Sequence, residues 1–184
     1  MTIICALHEP GVGTWIGSDT QSIGSDGRRW PGAGSKFAIA HGWAVGSAGQ
    51  NRIGCLMEHH AGELLDGMTG PFEFTRRLVN GVFVLHDIKR GTDNGAPDCG
   101  NCFVLAGPGG AWAVDSALGW LPCAPGRLVA MGSGSKAALG AAMVATDIGA
   151  SGRNIVLLAV EASIAIDVDC GGEPFVHLLP EIVA

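Results

Sequence analysis

The chain opens Met1-Thr2-Ile3-Ile4-Cys5-Ala6-Leu7. The apolar run that starts directly after Thr2 predicts a buried strand over Ile3–His8. Methionine before a small residue is readily trimmed, so Thr2 can become the mature N-terminus. A terminal threonine carries a hydroxyl nucleophile and a free α-amine on one residue. That amine titrates near pH ~8, so much of it is neutral and can act as a base at working pH. A threonine hydroxyl beside an N-terminal amine is a known form of activated nucleophile. Threonine is common at position two, so the reading needs a lysine, a carboxylate and an oxyanion site elsewhere in the chain.

Two such residues follow. Asp19 ends a predicted strand, Thr14–Ser18, and Lys36 begins another, Lys36–Ala40. Between them, Gln21 to Ser35 is rich in Gly, Ser, Asp and Arg and reads as a loop. Strands that end beside the N-terminal strand can gather Thr2, Asp19 and Lys36. A buried lysine would stabilise a developing alkoxide, and a buried aspartate would keep that lysine charged. By composition alone the plainer account is that Asp19 and Lys36 are surface residues at strand ends.

Further along, Trp43–Ser47 reads as a strand, and two helices are predicted over Asn51–Leu65 and Phe72–Lys89. Gly91 to Gly100 is a polar loop. Strands resume at Cys102–Ala106, Ala111–Asp115 and Leu128–Met131. Ser135–Asp147 is an Ala-rich helix, Ser151 a candidate N-cap for a helix over Asn154–Ile166, and Pro174–Leu179 a last strand. Strands, two helices, strands, two helices and a strand suggest two sheets between helix layers.

Met1 to Ala6, Gly17-Ser18-Asp19 and Lys36 together resemble the pattern of proteasome β-subunits and HslV-type peptidases. The likeness continues in Val45-Gly46-Ser47-Ala48-Gly49, in Phe103-Val104-Leu105-Ala106-Gly107 with Ala113-Val114-Asp115, and in Gly132-Ser133-Gly134. Asp167-Val168-Asp169-Cys170-Gly171-Gly172 resembles the family's Asp-x-x-Ser-Gly-Gly, with Cys170 where serine is usual. The order and spacing run through the whole chain, and the short opening also resembles bacterial proteasome homologues.

The resemblance implies an α+β fold, the four-layer αββα sandwich of N-terminal-nucleophile hydrolases, in one peptidase domain over residues 1–184. It implies a threonine-type endopeptidase with Thr2 as nucleophile, Lys36 and Asp19 as the charged pair and Gly49 as the oxyanion donor. Ser133, Asp167 and Cys170 would tune the α-amine. Ser47, Asn51, Thr20 and Gln21 would line the substrate cleft. Two stacked rings of six or seven subunits, an ATP-dependent unfoldase partner and polypeptide substrates are also implied, with no cofactor and no metal. A catalytically silent subunit of the same fold and a small-molecule amidase of this class are the alternatives.

Composition agrees with an ordered, well-buried chain: 184 residues, 47% hydrophobic and 15% charged. A net charge of -6 with 11 scattered basic residues argues against nucleic-acid binding. The apolar runs are too short and interrupted to span a bilayer, and no signal-peptide pattern precedes them. Six cysteines without a secretory signal read as reduced cytoplasmic thiols. Cys99-Gly100-Asn101-Cys102 is a single Cys-x-x-Cys, short of the second pair that a structural zinc needs; His86 is the nearest upstream candidate ligand. Gly132-Ser133-Gly134-Ser135-Lys136 lacks phosphate-loop spacing and reads as a turn into a helix. His59-His60 is expected to face solvent.

Overall fold

The computed structural model describes residues 2–24, 26–32, 34–93 and 96–181. Met1, whose removal the reading of Thr2 requires, lies outside the described residues.

The first sheet pairs β1 (Ile3–Glu9) with β2 (Gly13–Ser18) on one side and β12 (Leu128–Gly132) on the other. β13 (Phe175–Pro180) closes the far edge against β2. The second sheet has the order β11 (Trp120–Pro122), β10 (Gly110–Val114), β9 (Asn101–Gly107), β6 (Trp43–Gly49) and β5 (Phe37–Ala40). Neighbouring strands in both sheets are antiparallel.

Strand period assigns the faces. Side chains alternate across a strand, so Ile3, Cys5 and Leu7 point one way and Ile4 and Ala6 the other. The first set packs against Ala138, Ala142 and Ala145 of α4 (Ser135–Asp147) and Ile155, Val156, Ala159 and Val160 of α5 (Gly152–Ile166). Ile4 and Ala6 meet Phe37, Ala44, Val104 and Ala106 of the second sheet. On the outer face of that sheet, Val45, Phe103 and Leu105 pack against α1 (Asn51–His59), α2 (Ala61–Leu65) and α3 (Pro71–Arg77). Three apolar seams between four layers make the expected αββα sandwich. Each large side chain buried in a seam, such as Phe103 or Ile4, contributes about 1.5–3 kcal/mol.

Several boundaries differ from the sequence reading. The predicted helix over 51–65 is two helices, because His60 leaves helical geometry at φ -97°, ψ 11°. The second predicted helix starts at Pro71, whose ring suits a first helical turn. It then widens into a π-helical segment, Leu78–Phe83. The glycine-rich stretch before Lys36 carries a small ribbon of β3 (Ser22–Ile23) and β4 (Arg29–Trp30). A second ribbon pairs β7 (Gly91–Asp93) with β8 (Ala96–Asp98) where only loop was expected. Two-residue and three-residue strands have no periodicity to detect, so composition read them as loop. Ser151 does occupy the N-cap position of α5, which begins at Gly152, although its side chain makes no capping bond.

Candidate active site

β1 begins one residue after Thr2, so the sheet register sets the position of the threonine. Ile3 pairs with Gly132, and Gly132 has φ +106°. A Cβ at Gly132 would overlap the Thr2 carbonyl oxygen. Glycine is required there both by its dihedral and by the closeness of the threonine main chain.

Asp19 follows β2 and is fully buried. Its Oδ1 accepts from the Thr2 hydroxyl at 2.8 Å and from the Ile3 N–H at 3.0 Å. Lys36 Nζ lies 2.8 Å from Oδ1 and 2.9 Å from Oδ2. The Gly171 N–H donates to Oδ2 at 3.1 Å. One carboxylate thus joins the start of β1, the entry to β5 and the loop before β13. Sequence reasoning gathered Asp19 with Thr2 and Lys36; its bonds to two main-chain amides carry no sequence signal. The Lys36 side chain is 13% exposed. Burial lowers its pKa below the usual 10.5, against the opposing pull of Asp19.

On the other side of Thr2, the β12–α4 turn brings Ser133 to Asp167 and Cys170. The Ser133 hydroxyl, then the Asp169 N–H, hold the Asp167 carboxyl below the usual carboxylate value. Cys170 Sγ lies 3.7 Å from Asp167 Oδ2 and 4.0 Å from Ser133 Oγ. Burial pushes this thiol up to about 12, so it stays protonated and is a weak donor.

Thr2 and Lys36 open onto a cavity of about 420 Å³, whose lining includes Gln21, Ser47, Gly49 and Asn51. Thr20 is not part of the lining: its hydroxyl accepts from the Glu173 N–H at 2.9 Å and holds the loop before β13. Gln21 is buried, and its Nε2 finds no hydrogen-bond partner among the described residues. Ser47 Oγ accepts from Asn101 Nδ2 at 2.7 Å, while Asn101 Oδ1 accepts from the Gln50 N–H at 2.9 Å. Asn101, fully enclosed, therefore shapes the Gly49–Gln50 turn into α1. Gly49 has φ +140°, and an added Cβ would sit 2.7 Å from Asn101 Cγ. Asn101 went unnoticed in the sequence, where it stood inside a cysteine pair.

Both cysteines of that pair are free thiols. Cys99 Sγ donates to the Asn101 carbonyl at 3.2 Å, and burial raises the Cys99 and Cys102 thiols. His86 turns to His60 instead, at 2.8 Å. His60 is buried, contrary to the solvent-facing position expected for it.

No protein-family model matches the chain, and no curated protein matches it. Solved structures match over nearly the full length. BPH from Thiobacillus denitrificans, a bacterial proteasome homologue, superposes with a TM-score of 0.78 at 16% identity, covering 96% of this chain and 98% of that one. The same protein in complex with epoxomicin gives 0.77 at 16% identity, with 96% and 98% covered. HslV from Trypanosoma brucei gives 0.66 at 19% identity, covering 95% of this chain and 97% of that one. The layers, the sheet order and these superpositions agree: the chain has the proteasome and HslV type of N-terminal-nucleophile hydrolase fold.

Proposed function

We propose that the chain is a threonine-type endopeptidase subunit of a self-compartmentalising ring protease. The observation that carries this is the Asp19 carboxylate, which holds the Thr2 hydroxyl and the Lys36 ammonium together at the mouth of a cavity. Once Met1 is removed, Thr2 Oγ adds to a peptide carbonyl while its proton passes to the Thr2 α-amine. The C–N bond then breaks, the amine returns the proton to the leaving nitrogen, and an ester remains on Thr2. Water hydrolyses that ester. Lys36 stabilises the alkoxide that develops on Oγ, and Asp19 orients both groups. The Gly49 N–H donates to the tetrahedral oxyanion, a role in which one lost donor costs about 2.7–4 kcal/mol. Ser133 and Asp167, with a weaker part for Cys170, bond the α-amine.

Polypeptides are the proposed substrates, held along Gln21, Ser47 and Asn51. Thr20 acts on the cleft through the loop it anchors. Stacked hexameric or heptameric rings, with Thr2 facing an inner chamber, would keep the nucleophile from folded proteins. An ATP-dependent unfoldase is the proposed partner, and the cytoplasm the proposed location. Among the described residues no helix is long and apolar enough to cross a membrane.

The test is treatment of Met1-free protein with epoxomicin, the ligand in one structural neighbour. The expected result is an adduct mapped to Thr2 and loss of fluorogenic-peptide turnover. Turnover of small amides with no peptide cleavage would instead identify an amidase. An intact, unmodified Thr2 with no turnover of any amide would identify a silent subunit.

A further inference from the structure

The helix layer over the second sheet contains a buried histidine contact that the active site does not use. His60, between α1 and α2, is 7% exposed. Its Nδ1 lies 3.2 Å from Glu63 Oε2, and its Nε2 lies 2.8 Å from Nε2 of His86, just beyond the π-helical segment. The two ring centroids are 5.0 Å apart, so the nitrogens meet almost in line. The edge of the His59 ring packs on His60, and Arg52 of α1 donates to the His86 carbonyl at 3.0 Å. Arg77 of α3 donates to the Glu63 carbonyl at 3.3 Å. Asp87 follows His86 in the chain.

This geometry belongs to a proton bridge. Among the described residues no third ligating side chain completes a metal site. Two zinc–nitrogen bonds of about 2.0–2.1 Å also need a bent approach that in-line rings do not give. The Glu63 carboxylate takes the Nδ1–H of His60, which leaves His60 Nε2 bare. His86 must then supply the bridging Nε2–H; the tautomers follow from this network. The bridge holds only while one of the two Nε2 atoms is bare, because two N–H groups cannot face each other at 2.8 Å.

We propose that the His60–His86 bridge is an acid-released latch on α1, the helix that walls the Thr2 cavity. α1 carries Asn51, Gly54, Cys55, Met57 and Glu58 in the cavity lining. His86 is fastened to that helix twice, through His60 at its C-terminal end and through Arg52 at its start. When acid leaves an N–H on both Nε2 atoms, the rings separate, the C-terminal fastening goes and α1 loosens. The latch concerns the wall of the cavity and stands whether or not Thr2 is a nucleophile.

The test is amide hydrogen exchange of α1 in the whole protein at about pH 8 and about pH 5, the range in which imidazoles gain protons, corrected for intrinsic exchange. In the unmutated protein the protection of Asn51–His59 should fall roughly tenfold on acidification, the effect of one pK unit of coupling. In His86→Gln, a change at a half-buried ring, the protection should differ little between the two pH values. Equal acid loss in both proteins, or no loss in either, would overturn the latch. Side-chain nitrogen spectra of the unmutated protein supply a second reading. At about pH 8 they should show His60 Nε2 bare and a hydrogen on His86 Nε2. A hydrogen on His60 Nε2 instead would overturn the bridge.

Discussion

The Thr2 hydroxyl donates directly to the carboxylate that clamps Lys36, so threonine and lysine share one acceptor, Asp19 Oδ1. A hydroxyl held this way is oriented before substrate arrives. Its own removal costs the fold little, because Asp19 keeps Lys36 and two main-chain donors.

Thr2→Ala should therefore abolish peptide turnover and leave the thermal midpoint and the assembly size nearly unchanged. Thr2→Ser should keep partial activity. Turnover of a fluorogenic peptide, read beside light scattering, checks both. Undiminished turnover by Thr2→Ala would remove Thr2 from the mechanism.

Retained Met1 places Thr2 inside a peptide bond and removes the neutral amine that the proposed mechanism uses as base. Turnover should scale with the fraction of chains trimmed, measured by intact mass. Full activity in a preparation that keeps Met1 entirely would end the threonine-protease reading.

Asp19→Ala and Lys36→Ala should each lower kcat by about 10²-fold or more, in the range general acid–base groups supply. Their effects should not add, because the two side chains act as one unit. Lys36→Ala should also destabilise the fold by about 3–5 kcal/mol, since it strands a buried carboxylate. A double mutant that multiplies the two losses would separate the residues.

Activity should rise with pH through about 8 as a terminal α-amine loses its proton. It should fall again below 10.5, the ordinary lysine value, because burial lowers the Lys36 pKa. Asp167 acts at the acid end. Its folded pKa is depressed, so its contribution to stability is present above 3.8 and is lost as pH falls through the lower folded value. Ser133→Ala should move that loss to higher pH, which acid unfolding curves will show.

Gln21→Met should stabilise the protein by about 1–3 kcal/mol, since it removes a buried amide nitrogen that lacks a partner among the described residues. If that nitrogen serves a substrate carbonyl, KM should rise while kcat holds. A lower midpoint in thermal unfolding would show that the amide is satisfied in solution.

The layers were legible because Ile3 to Leu7 is apolar on both faces, as a strand buried between helices and another sheet must be. Thr2, Asp19 and Lys36 were legible as a trio because each stands at a strand end. What stayed hidden depends on approaches across the fold. Asn101 meets Ser47 from 54 residues away. His60 is buried because α1 stops at it, and no periodicity announced that break. Thr20 looked like a cleft residue from its place beside Gln21, but its hydroxyl accepts from the Glu173 N–H, a contact 153 residues away in the chain.

The Gly171 N–H reaches the Asp19 carboxylate from 152 residues downstream. β13, which follows it, also completes the sheet edge beside β2. A ribosome-bound chain that has not yet released this stretch lacks one donor to Asp19 and one flank of its strand. The cluster of Thr2, Asp19 and Lys36 is thus among the last features to be finished during synthesis. A nascent chain cannot complete the ring of donors around the Asp19 carboxylate until the stretch that carries Gly171 is free.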